Sequence, residues 1–219
     1  MPSPRSLYTA GIVCLGLALV LGLVTSISLP TFSGIDFVRV NFPNSLANFM
    51  SQLRFGIWAP CFTTGDGNHS CVVGGHGYAF VISTFDLKKS VVIGSSWTRG
   101  LAIHPVATVF TAIALGFACL KHEHGPLLAT LTSFVAAFLF LLAFIVDIAL
   151  FAFVKQQVDT LHNGNTVPGP AFWLTFVSLI LVLLSGCTVC FGRRKDSGAS
   201  DYPSFSAPTG GILSRFRKS

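Results

Sequence analysis

Asp147 is the one ionisable residue deep inside an apolar run of this chain. A carboxylate at that depth is costly unless it faces a partner within a bundle or takes a proton. It therefore marks either a transport or proton site or a packing hydrogen bond to a neighbouring helix or loop. Its run ends about two turns later, which favours packing, and one buried charge in four spans makes a sparse path for a transporter. Cys187 and Cys190 have the spacing of a thiol redox pair, but they abut Gly192-Arg193-Arg194-Lys195. Such a cluster stays in the cytoplasm, where thiols remain reduced, so Cys187 and Cys190 read as S-palmitoylation candidates or packing residues. Cys14 and Cys119 read as packing residues of the bundle. Cys61 and Cys71 are separated by nine residues in the one long loop. An oxidising exterior favours joining them, and closing a loop of that size stabilises a fold by somewhat under about 3 kcal/mol. Asn68-His69-Ser70 inside it is an N-glycosylation sequon. His122-Glu123-His124 has metal-ligating residue types, yet zinc needs three or four converging ligands and only Cys119 lies nearby; a solvated turn without metal is expected. No phosphate-cradling glycine loop, nucleophile elbow or carboxylate pair appears, so neither an enzyme nor a cofactor is expected.

These residues are positioned by an unusually apolar chain. Of 219 residues, 52% are hydrophobic and 10% charged, with a mean hydropathy of +0.70. Water-soluble domains carry about 25% charged residues, so this chain cannot cover a soluble surface, and disorder is excluded as well. The apolar residues fall in four runs, 7–29, 101–120, 127–154 and 172–191, each long enough to cross a hydrocarbon core of roughly 30 Å. The first could instead be a signal peptide cleaved near Ser26 and Ser28, but it exceeds a typical signal core of about 7 to 15 residues. His104-Pro105 opens the second span, where a first-turn proline is tolerated, and places His104 at the interface.

Retention of the basic cluster inside puts the C-terminus in the cytoplasm, and four spans put the N-terminus there too. Residues 1–6 and the turn 121–126 are then cytoplasmic, residues 30–100 and 155–171 external, and 192–219 a disordered basic cytoplasmic tail. The net charge of +6 sits beside spans rather than in a nucleic-acid-binding face, so the bilayer is the first partner and nucleic acid is excluded. Within the long loop, Ile35-Asp36-Phe37-Val38-Arg39-Val40 and Gly77-Tyr78-Ala79-Phe80-Val81-Ile82 alternate as half-buried strands do, and Thr63 to Asn68 is turn-rich. The predicted fold is an all-α membrane protein: a four-transmembrane-helix bundle carrying a small extracellular antiparallel β-sheet.

Gly56-Ile57-Trp58-Ala59-Pro60-Cys61 followed by Cys71 is similar to the Gly-Leu-Trp-x-x-Cys and later Cys of the claudin superfamily. That resemblance implies a claudin-like sheet whose disulfide joins two strands and whose tryptophan, Trp58, anchors it at the membrane surface. The earlier loop tryptophan of tight-junction claudins is missing. Arg54-Phe55-Gly56, Cys71 followed by Gly77-Tyr78, His104-Pro105-Val106-Ala107 and Asp147-Ile148-Ala149-Leu150 together resemble the fungal PalI and Sur-type membrane proteins. The PalI resemblance implies a plasma-membrane protein that assists a seven-span ambient-pH sensor; the Sur resemblance implies an organiser of plasma-membrane compartments affecting wall and endocytosis. Gly11, Gly16 and Gly22 allow close helix approach and hence a homo-oligomer, though without the four-residue spacing that most favours it. His69 and His76 flank Cys71, and their protonation near neutral pH would alter a partner interface there.

Overall fold

The computed structural model describes residues 4–32, 34–42, 50–72, 74–75, 77–83, 90–120, 125–160 and 164–199. Four long helices carry the apolar runs: α1 (Pro4–Ser26), α3 (Ile103–Cys119), α4 (Gly125–Thr160) and α5 (Pro170–Ala199). The short α2 (Ser95–Arg99) continues through a 3-10 turn, Gly100–Ala102, into α3, so the second span starts at Ser95. Leu17, Val20, Leu131 and Phe138 are each more than half exposed on the outside of the bundle. Lipid, which solvates such side chains as well as a protein core does, is the medium that accommodates them.

Inside, helices approach closely through small residues. Ala18, Ala107, Ala136 and Ala137 meet around Phe140. A Cβ on Gly11 would lie 2.8 Å from Thr188 Oγ1, and one on Gly22 2.7 Å from Thr108 Oγ1. Both glycines thus serve contacts within the chain, and of the three in α1 only Gly16 has open space beside it.

Among the described residues, seven short strands lie at one end of the bundle: β1 (Val38–Asn41), β2 (Gln52–Phe55), β3 (Pro60–Thr63), β4 (His69–Cys71), β5 (Phe80–Ser83), β6 (Ser90–Ile93) and β7 (Asn165–Pro168). Five form an antiparallel sheet in the order β4-β3-β2-β1-β7. Alternation turns Val38, Val40, Leu53 and Phe55 inward, onto Leu150, Val154 and Val158 of α4. Four membrane-crossing helices with a small antiparallel sheet are the architecture the sequence predicts.

Several local expectations are corrected. The stretch 77–82 does not join the main sheet: β5 pairs with β6 in a separate hairpin, whose Phe80 meets Phe55 edge-on at 6.5 Å. The fifth strand comes instead from the second loop, because β7 finds the free edge of β1. The helix carrying the third run does not stop at 154; α4 continues to Thr160, since Val154 and Val158 still have the sheet to pack against. Its 36 residues extend about 54 Å, well beyond a hydrocarbon core of roughly 30 Å. The stretch 192–199, expected to open a disordered tail, continues α5; residues 200–219 lie outside the described residues.

Candidate functional site

The sheet is held to the bundle at three places, each built from short polar contacts. The first follows β2. Gly56 N–H donates to Ala59 O at 3.2 Å and closes a tight turn, with Gly56 so near α1's end that a Cβ would lie 2.5 Å from Leu29 Cβ. The turn places Ile57 N–H on Ser28 Oγ at 3.2 Å and Trp58 Nε1–H on Ser26 O at 2.8 Å. Ser26 is the last residue of α1, whose final carbonyls have no partner within the helix, so the indole caps one of them. Tyr78, buried, donates its hydroxyl to Gly56 O at 2.7 Å, and burial pushes its phenol well above the ordinary range. Directly beyond, Cys61 and Cys71 face each other across β3 and β4 and are joined by a disulfide, with Cα atoms 4.0 Å apart. Asn68 is exposed in the turn between them, where Gly67 takes φ +80°, and His69 Nδ1 meets Thr63 Oγ1 at 2.9 Å. His76 lies outside the described residues.

The second holds the sheet to α5. Asp36 is fully buried, and Arg39 grips its carboxylate with two bonds, Nη2 to Oδ1 at 2.7 Å and Nε to Oδ2 at 3.1 Å. This fork raises the Arg39 guanidinium above its usual value; Arg54 on the neighbouring strand is lowered, by burial first and then by the Arg39 charge. Gly169 N–H donates to Phe37 O at 2.9 Å and Ala171 N–H to Asp36 O at 3.0 Å, so the start of α5 is stitched to the lead-in of β1. Sequence reading missed Asp36, Arg39 and Gly169 as a set. The one available signal was an acid inside an apolar alternating stretch with an arginine three residues on.

The third lies below the sheet. His104 of α3 and Asp147 of α4 are both fully buried and meet at 3.2 Å through Nε2 and Oδ2. His104 Nδ1 is 2.9 Å from Leu101 O. A carbonyl only accepts, so Nδ1 carries a proton, and a single further proton is shared between Nε2 and Oδ2. Whether it sits on nitrogen or oxygen, the pair has no net charge, which suits it to the bundle interior. Thr175 of α5 stands beside Asp147 but commits its hydroxyl to Ala171 O at 3.0 Å, leaving Asp147 Oδ1 without a donor among the described residues. The ring of Phe37 packs edge-on against His104 at 4.7 Å. His104 is therefore enclosed within the protein: α2 and the 3-10 turn extend the helical segment ahead of it, and Phe37 covers it.

Elsewhere, Cys187 is a free, exposed thiol on α5. Cys190 follows on the same helix, its side chain outside the described residues. No three His, Cys, Asp or Glu side chains gather as a metal site among the described residues; His122-Glu123-His124 lies outside them.

The sequence model of a family described as SUR7/PalI matches residues 5–185. The chain is similar to the pH-response regulator protein palI/RIM9 of Yarrowia lipolytica, 30% identical over 218 residues, covering 95% of this chain and 26% of that protein. It is also similar to the pH-response regulator protein palI/prr-5 of Neurospora crassa, 28% identical over 155 residues, covering 66% of this chain and 20% of that protein. The chain thus spans about a quarter or less of the length of these curated relatives.

Proposed function

The chain belongs to the SUR7/PalI family, and from that premise we propose that it is a non-catalytic plasma-membrane component of an ambient-pH response, which binds and stabilises a larger membrane sensor. The observation that carries this reading is the match, over 95% of the chain, to a protein named as a pH-response regulator. The geometry supports a recognition role in particular. Trp58 on Ser26, Gly169 on Phe37 and Phe37 on His104 tie the sheet to α1, α5 and the α3–α4 pair, so sheet and spans present one rigid surface to a partner. A rigid surface associates without the ordering cost of a flexible one.

Deleting the gene in its host is expected to block growth at alkaline pH and to reduce the amount of the sensor at the cell surface. Normal alkaline growth with normal sensor delivery would end this reading. The family description also names SUR7, which keeps a second reading in view, an organiser of membrane compartments; static cortical patches of the tagged protein that persist without the sensor would favour it.

In the proposed orientation the sheet is external and both termini are cytoplasmic. Asn68, exposed at a turn, then meets the glycosylation machinery. Endoglycosidase treatment is expected to speed the migration of the wild-type protein and to leave Asn68→Gln unchanged. Labelling of an amino-terminal tag on intact cells by an impermeant reagent would reverse the orientation.

A further inference from the structure

The sheet-side end of α4, where the helix leaves the bilayer, carries a groove of about 820 Å³ on the side turned away from the sheet. Its described lining is one helical stripe: Ile148, Phe151 and Ala152 below, Lys155, Gln156, Asp159 and Thr160 above. The opposite face of the same turns, Leu150, Val154 and Val158, is sealed under the sheet, and Phe151, half-buried at the edge of the stripe, packs against that cluster and lies 6.5 Å from Phe172, so the open part of the stripe runs from Ile148 and Ala152 to Lys155, Gln156, Asp159 and Thr160. Spacings of three and four residues align it along a single face. Lys155 and Asp159 are both exposed, and neither has an ion-pair partner among the described residues.

We propose that this stripe binds one zwitterionic glycerophospholipid of the sheet-side leaflet, of the phosphatidylcholine or phosphatidylethanolamine class. The order of chemistry along the helix matches that of the lipid. An acyl chain lies against Ile148, Phe151 and Ala152; next outward comes the phosphate, beside the Lys155 ammonium. One turn further, about 6 Å along the axis, Asp159 meets the lipid's own ammonium group. Thr160 adds a hydroxyl at the headgroup level. An anionic lipid without an amine satisfies Lys155 but faces Asp159 with like charge, and a diacylglycerol satisfies neither. A partner helix made only of apolar residues would leave both charges unpaired at its edge.

The test uses the full chain, purified in a mild non-ionic detergent, stripped of co-purified lipid, and titrated separately with dioleoyl phosphatidylcholine, dioleoyl phosphatidylglycerol and dioleoylglycerol under native mass spectrometry. One phosphatidylcholine is expected to be retained in preference to either competitor by roughly threefold or more, the scale of exposed charge pairing. Asp159→Asn is expected to erase the preference over phosphatidylglycerol while keeping that over dioleoylglycerol. The double reversal Lys155→Glu, Asp159→Lys is expected to abolish selective retention of phosphatidylcholine. Its intact disulfide and monodisperse elution would show that it folds; were it to aggregate, Asp159→Asn alone carries the test. Equal retention of all three lipids by the wild type, or selectivity unchanged in the variants, would overturn the proposal. So would a dimer that the double reversal dissociates without any lipid preference, since a second copy would then be the occupant.

Discussion

His104→Leu is expected to destabilise the protein strongly, and His104→Leu combined with Asp147→Leu is expected to recover most of the loss. The single change strands the Asp147 carboxyl in a fully buried position whose second oxygen already lacks a donor among the described residues. Breaking a buried pair from one side costs about 3 to 5 kcal/mol in water-soluble proteins, whereas hydrogen bonds between membrane helices average only about 0.6 kcal/mol. The stranded group decides between these figures: it can take a proton and become neutral, which caps the cost near 2 to 3 kcal/mol. Removing both polar groups eliminates the unpaired acid, and two leucines suit the apolar surroundings. Thermal unfolding in detergent, read by loss of the monodisperse peak after heating, measures the cycle. Because Phe37 rests on His104, the single variant should also expose the sheet to protease at temperatures where wild type resists. Additive losses in the double variant would show that the two residues stabilise the fold independently of one another.

Gly169→Ala is expected to be more damaging than a methyl added at Gly11, Gly22 or Gly56. A Cβ at that position would run directly into Asp36 O and lie 2.8 Å from Asp36 Oδ2, inside any real contact. The obstructing atom is backbone, which cannot swing aside as a side chain does. To make room, either β7 leaves β1 or the start of α5 moves, and each route breaks the hydrogen bonds at Phe37 and Asp36. Overpacking of this kind costs about 1 to 3 kcal/mol, and the lost bonds add about 1 kcal/mol each. Gly16→Ala is the matched control: nothing lies within 4 Å of a Cβ there, and alanine is the better helix former. The same heating assay should show a fall for the first variant and none for the second; equal behaviour would mean that the α5 junction yields without loss.

Much of this architecture is legible in the sequence because its causes are local. Four apolar runs of sufficient length, broken by a charged side chain only at Asp147, demand lipid whatever their neighbours are, and a proline or a basic cluster punctuates them. The Gly56-Ile57-Trp58 and Cys61, Cys71 pattern gives the resemblance because a tight turn, an indole that caps the end of α1 and a cross-strand bridge lie within sixteen residues. Asp147 is conspicuous as a lone acid, and a hydrogen bond to a neighbouring helix is one of the two readings its depth allows.

Other features depend on which distant segments come together. Asp147 and His104 lie 43 residues apart, and nothing in either helix names the other as partner. Asp36 meets the start of α5 and β7 meets β1 only because the bundle returns residues 165–171 to the first loop; strand pairing follows backbone edges, which carry no residue-specific signature. Composition and run length alone determine the solvent, the span count and the neighbourhood of the disulfide, since each follows from transfer energies summed along a short stretch. The partner of the buried acid, the fifth strand and the length of α4 are decided by tertiary structure, because each is a choice among remote surfaces settled only by which packing leaves the fewest polar groups unmet.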